Sequence, residues 1–163
     1  MTRETPIDAD TVIGMALPTG SADILLPRTA VAEIVAYRPP TPVPGAPDWF
    51  VGNLLWQQRP VPVVSIAAAQ EEQTEVAPQR RTCLVVCYVP SGNRSAPFVA
   101  LLAAGPPRLC HFRADEMTPA QPVAPNRFVL HTLDYQERPS WIPDMDAIER
   151  ALAEVAVPKV ASA

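Results

Sequence analysis

The apolar positions of the chain fall in short runs separated by turns that are rich in proline. Residues 22–27, 82–89 and 98–102 are such runs, and the second is dense in valine and cysteine. Residues 127–135 alternate between two faces, which is the period of a strand. Short runs with β-branched residues, bounded by Gly and Pro, indicate strands, so we expect about ten of them.

The most informative segment, residues 39–66, combines a proline loop with a predicted hairpin. Five prolines surround Gly45 in its first part, which excludes a helix or a central strand there. An apolar stretch at 49–55, a polar pair at Gln57 and Gln58, and a return strand at 61–66 follow. This order predicts a β-hairpin with a tight turn.

Helical spacing occurs in two places. Thr29 is placed to open a short helical turn, with three apolar residues on one face: Val31, Ile34 and Val35. Near the end, Asp144 is a good N-cap, and Pro158 would stop the helix. The apolar stripe of this second helix consists of Met145, Ile148, Leu152 and Val155. We expect it to pack on the second half of the fold, although such a stripe could also bind a partner helix.

Composition excludes several classes of protein. A length of 163 residues allows one compact unit or two small, closely packed ones. The net charge of -4 argues against nucleic-acid binding, which needs a clustered basic face. No apolar run approaches the roughly 20 residues needed to cross a bilayer. The start of the chain has no apolar core of a signal peptide, so we expect a soluble, cytoplasmic protein.

The residues that could carry chemistry are few and scattered. We expect Cys83, Cys87 and Cys110 to be reduced, buried thiols, and we expect no metal or other cofactor. Ser65, His131 and Asp134 could be proposed as a catalytic triad, but nothing in the sequence places them together. No phosphate loop, dinucleotide fingerprint or nucleophile elbow is present, so we expect no catalytic site.

Two classes of function remain open on this evidence. One is a binding module that works through an exposed apolar patch with a few polar groups. The other is a small β-barrel enzyme or ligand-binding protein with its site between the two halves of the chain. The second class requires at least two His, Cys or carboxylate groups within about 4 Å of a shared cavity.

The segment 39–66 resembles the signature of CheW-like domains, the adaptors of bacterial chemosensory arrays. The matching positions are Pro44-Gly45-Ala46-Pro47, Gly52, Pro62-Val63-Val64 and Ile66. Four positions depart from the family pattern: Leu55 replaces Asn, Gln57 replaces Arg, Gln58 replaces Gly and Ser65 replaces Asp. The resemblance extends over about residues 10–155, as a single CheW-like domain.

This resemblance implies a mainly β fold. Family members consist of two packed, small, five-stranded β-barrels with short helices, and a C-terminal helix is expected here. Placed on this chain, the first barrel would span about 10–69. The second barrel and the terminal helix would span about 82–157, with a solvated connection at 70–81.

The resemblance also implies a non-catalytic adaptor that couples a chemosensory histidine kinase to receptors. In the family, the first barrel docks on the kinase regulatory domain. The groove between the barrels takes the cytoplasmic tip of a methyl-accepting receptor. Because the polar signature is altered, the chain is similar to accessory adaptors of the system that controls type IV pili and twitching motility.

Four residues are the predicted protein-binding positions: Glu33, Trp49, Trp56 and Gln57. The resemblance places Glu33 near the receptor contact and Gln57 at the hairpin turn. The two tryptophans, with Phe50, are candidate aromatic anchors, because exposed aromatic residues are frequent hot spots. The alternative is that the aromatic residues fill the barrel core and that Glu33 is an ordinary solvated residue.

Overall fold

The computed structural model describes residues 10–69, 81–121 and 126–156. Within these ranges the chain forms eleven strands, three short 3-10 turns and one helix. The strands within residues 10–69 are β1 (Thr11–Pro18), β2 (Asp23–Pro27), β3 (Val31–Ala36), β4 (Phe50–Trp56) and β5 (Arg59–Val64). The strands within residues 81–156 are β6 (Cys83–Tyr88), β7 (Phe98–Ala103), β8 (Arg108–Arg113), β9 (Met117–Pro119), β10 (Val129–Tyr135) and β11 (Arg138–Pro143). The helix is α1 (Met145–Ala156).

The strands form two sheets, which confirms the predicted mainly β fold. One sheet has six strands in the order β8-β1-β2-β11-β10-β9, and the other has five in the order β3-β6-β7-β5-β4. The first sheet therefore has one strand more than the expected five.

The strand pairing does not follow the expected division at residues 10–69 and 82–157. The β1–β2 hairpin pairs with β8 and β11, while the β6–β7 hairpin lies between β3 and β5. Two parallel pairings make these joints, β2 with β11 and β5 with β7. Each sheet thus contains strands from both parts of the chain. The sequence did not predict this, because hydrophobic periodicity reports burial and not the choice of a distant partner.

Three hydrophobic clusters fill the described part of the structure. One lies inside the five-stranded sheet and includes Leu54, Trp56 and Leu84, and a second lies inside the six-stranded sheet around Phe112 and Tyr135. The third contains residues from both sheets and from α1: Leu17, Ile24, Val64, Val85, Leu101, Phe128, Trp141 and Ile148 are among its members. Each sheet therefore has its own interior, and the third cluster joins the two.

The five-stranded sheet curves until its two outer strands meet. Beyond β3, Thr41 exchanges backbone hydrogen bonds with Asn53 of β4, at N···O distances of 2.8 and 2.9 Å. Arg38 also donates to the Leu55 carbonyl at 3.2 Å. Gly52 permits this approach, because a Cβ there would lie 2.4 Å from the Thr41 carbonyl oxygen. We call this junction, residues 31–41 against β4, the seam.

The predicted helical turn after Thr29 is wrong. Only Arg28–Ala30 forms a 3-10 turn, and Val31–Ala36 is the strand β3, paired with β6. The ladder is irregular between Val31 and Glu33. An extra residue in a strand breaks the alternation of faces, so the apolar spacing resembles that of a helix.

A buried carboxylate stabilises the joint between β2 and β11. Asp23 accepts from Arg108 at 2.9 Å and from Arg138 at 3.4 Å. The two guanidinium groups belong to β8 and β11, so one carboxylate connects three strands of the six-stranded sheet. Two cationic donors compensate for the cost of desolvating this group.

The predicted terminal helix is present. Asp144 caps it by accepting from the Ala147 N–H at 3.0 Å. Ile148 and Leu152 face the cluster that joins the sheets, so the stripe is part of the core. Glu149 accepts from the backbone and hydroxyl of Ser91 and ties the helix to the β6–β7 connection. Pro158 lies outside the described residues.

No helix within the described ranges is both long and apolar enough to span a membrane.

We expect Phe128→Ala to lower the free energy of unfolding by about 3–5 kcal/mol. Phe128 is fully buried and meets Trp49 edge to face, with ring centroids 4.9 Å apart. Leu130→Ala is the matched control, because Leu130 is 56% exposed and its loss should change stability by less than about 0.5 kcal/mol. Urea denaturation measures both. Equal losses for the two variants would contradict this assignment of the core.

Candidate protein-binding site

Glu33 and Trp56 meet across the seam. The Trp56 side chain is only 7% exposed and lies in the cluster inside the five-stranded sheet. Its ring packs edge to face on Phe98, with centroids 4.8 Å apart, and its Nε1–H donates to Glu33 Oε2 at 2.5 Å. The indole therefore holds an exposed carboxylate in one orientation at the surface of the barrel.

Gln57 and Gln58 form the two-residue turn between β4 and β5. Their φ angles are 47° and 63°, the left-handed conformation that two-residue hairpin turns of type I′ require at both positions. Both side chains are exposed, and neither makes a hydrogen bond to another described residue. The turn thus presents two amide groups directly after Trp56.

Two exposed apolar residues are chain neighbours of the Glu33–Trp56 pair. Leu55 of β4 is 66% exposed and Ile34 of β3 is 41% exposed. Exposed apolar side chains beside a few oriented polar groups are typical of a protein contact surface. Sequence reasoning missed both, although strand alternation could have found Leu55, since its neighbours Leu54 and Trp56 point inward.

The prediction that the two tryptophans are exposed is wrong, because both are buried. Trp49 is 8% exposed and lies in the cluster that joins the sheets, beside Phe128, and Arg127 lies 5.8 Å from its ring centroid. Phe50 is half-buried. These aromatic side chains bury their large apolar surface in the core, as the alternative interpretation predicts. Glu33, Trp56 and Gln57 lie together, and Trp49 lies apart from them.

The three cysteine side chains are buried in the structure. Cys83, Cys87 and Cys110 are free and buried, as predicted. Burial raises the pKa of Cys87 from its ordinary 9.0 to about 12 and also raises the pKa of Cys83. Since the thiolate is the nucleophile and metal ligand, both groups stay protonated and unreactive near neutral pH.

Tyr135 also has a raised pKa, chiefly because it is buried, with further contributions from Cys110 and Glu116. No cluster of three or more potential metal ligands occurs among the described residues. Ser65 follows β5 and accepts from the Ala68 N–H, whereas His131 and Asp134 are exposed on β10 of the other sheet. The structure therefore places the triad candidates on different sheets.

The chain is similar to one protein-family model and to several solved structures. The family model described as CheW-like domain matches residues 14–152. The crystal structure of scaffolding protein TtCheW from Thermoanaerobacter tengcongensis is similar, with a TM-score of 0.65 and 12% identity. That similarity covers 81% of this chain and 88% of the other, and at this identity it concerns the fold. No curated protein matches the sequence.

Both similarities agree with the two-sheet architecture of the chain. The family match takes in every strand except the start of β1, and it ends within α1. The chain belongs to the CheW-like domain family.

Proposed function

We propose that this protein is a non-catalytic adaptor that couples a chemosensory histidine kinase to receptors. The observation that carries the proposal is the surface at the seam, where a buried indole holds Glu33 and the adjacent residues of the chain, Ile34 and Leu55, are exposed. Membership of the CheW-like family supports it, since members of that family act as scaffolds. Such a protein works through its surface and needs no cleft with activated groups.

The proposed partners are the regulatory domain of the kinase and the cytoplasmic tip of a methyl-accepting receptor. The kinase domain would dock on the five-stranded barrel, and the receptor tip would approach the groove between the barrels. Glu33 and Gln57 are the proposed contact residues, while Trp56 acts through Glu33 as a positioning residue. All of these contacts would take place in the cytoplasm.

We further propose an accessory role in the system that controls type IV pili and twitching motility. Support comes from the changes at Leu55, Gln57, Gln58 and Ser65, since three of them lie on the exposed hairpin. A hairpin that exchanges a polar side chain for exposed leucine, and a cation for an amide, offers a different contact from the usual one. Apolar contact would therefore contribute more of the binding energy.

Isolation of partners from the native cell, with this protein as bait, is the first test. We expect to recover a chemosensory kinase and a receptor. The regulatory domain of that kinase and the cytoplasmic tip of that receptor are then purified, and the affinity of this protein for each is measured. Glu33→Gln removes the charge but keeps an acceptor for Trp56, and we expect about tenfold weaker binding to one of the two. This magnitude is that of a charge pair partly buried at an interface.

Glu137→Gln is the matched control for the loss of charge. Glu137 lies in the equivalent left-handed turn between β10 and β11 of the other sheet, with a φ of 61°. Gln57→Arg tests the hairpin, and we expect it to strengthen binding to a standard chemotaxis kinase or receptor by about two- to fivefold. Unchanged affinities for Glu33→Gln and Gln57→Arg, with folded protein, would place the contact elsewhere.

Trp56→Phe tests whether orientation of Glu33 matters. The variant keeps a ring against Phe98 but removes the N–H, so we expect a loss of about 1 kcal/mol in stability. We also expect weaker partner binding that is not additive with Glu33→Gln, because both changes disrupt one interaction. Urea denaturation and a double-mutant cycle of affinities measure these effects. A stability loss with full affinity would show that the indole only supports the core.

A further inference from the structure

A cleft opens in the five-stranded sheet where β5 and β7 separate. The two strands pair only at Val63 with Ala100 and at Val64 with Leu101. Towards the hairpin, Pro60 and Pro62 have no N–H to donate, so this part of β5 cannot continue a full ladder with β7. The resulting cleft has a volume of about 270 Å³. Its lining consists of Arg59, Pro60, Val61, Pro62, Arg94, Ser95, Ala96, Pro97 and Phe98.

The cleft carries two guanidinium groups without an acidic partner among the described residues. Arg59 and Arg94 are both exposed and form no ion pair there, and no Asp or Glu belongs to the lining. In contrast, Arg108 and Arg138 share Asp23, and Arg113 pairs with Asp115. Two unpaired cations on one cleft of a chain with a net charge of -4 create a local positive site.

The remaining lining is rigid and mostly apolar. Three prolines have fixed φ angles, and the Arg59 guanidinium carbon lies 6.0 Å from the Phe98 ring centroid. Tyr88, half exposed, packs against Phe98 from the neighbouring strand. A site with fixed walls loses little conformational entropy when it is occupied.

Size and charge together indicate the class of ligand. Pockets for whole small molecules usually measure about 300–1,000 Å³, so this cleft fits a short piece of a longer chain better. Guanidinium groups pair with carboxylates in a planar, often bidentate geometry. The prolines and Phe98 provide surface for the backbone and apolar atoms between two acidic side chains.

We propose that the Arg59–Arg94 cleft binds an acidic, extended segment of a partner protein, with carboxylates of that segment paired to the two arginines. The inference rests on the proposed adaptor function only in so far as the occupant is a protein. It adds a second contact surface, which depends on Arg59 and Arg94 and not on Glu33.

The test uses the full chain and two fluorescein-labelled, acetylated hexapeptides of alternating residues. One alternates Glu with Ala and the other alternates Gln with Ala, and fluorescence anisotropy at low ionic strength reports binding. We expect the Glu peptide to bind more tightly than the Gln peptide, and added salt to weaken its binding. We expect the double variant Arg59→Gln with Arg94→Gln to bind the Glu peptide about tenfold more weakly, the sum of two exposed ion pairs.

A second double variant, Arg28→Gln with Arg150→Gln, controls for net charge. Both of these arginines are exposed, lie outside the cleft and form no ion pair with a described residue, so the control has the same formal charge as the cleft variant. We expect the control to lose less than about twofold in affinity. Amide spectra of all variants check that the fold is kept.

Three results would overturn the proposal: equal losses in the two double variants, equal binding of the Gln peptide, or no binding of the Glu peptide by the wild type. None of them depends on the kinase or receptor. If the Glu33→Gln test fails while this one succeeds, the adaptor assignment is at fault and the cleft is not.

Discussion

Two parallel strand pairings are the constraint on which the rest of the structure depends. The pairing of β2 with β11 brings the N-terminal hairpin into the sheet formed by the last strands, and the pairing of β5 with β7 brings a later hairpin into the sheet formed by β3, β4 and β5. Because each sheet takes strands from both parts of the chain, neither interior can fill until both parts are present. The cluster that joins the sheets, with Phe128 and α1, packs against strands of both.

The proposed contact surface follows from this arrangement through the seam. The β6–β7 hairpin holds β3 at one side of the five-stranded sheet and β5 with β4 at the other, so curvature brings β3 and β4 together. The Thr41–Asn53 hydrogen bonds then fix the distance between them. Trp56 reaches Glu33 only because these two strands meet, and its burial gives the exposed carboxylate a fixed orientation. An aromatic residue can thus shape a binding surface without being exposed on it.

Sequence patterns predicted the elements that local interactions determine. The strand runs, the turn at Gln57 and Gln58, and the cap at Asp144 all depend on neighbouring residues, and the structure confirms them. Val31–Ala36 was predicted as a helical turn and is a strand, because an irregularity in its ladder disturbs the alternation of side chains between the two faces. Which strands form each sheet depends on pairing between residues that are far apart in the chain. Hydrophobic periodicity does not encode such pairing. The burial of Trp49 and Trp56 depends on those same distant partners, so composition alone could not decide it.

The most direct test of this account is to express residues 1–69 and 81–163 as separate chains and record amide spectra of each. We predict that neither fragment folds alone, because each would lack strands of both sheets, and that mixing them restores dispersed, native-like spectra. A fragment that folds by itself into a stable barrel would contradict the account, since it would show that the two parts of the chain complete their own sheets.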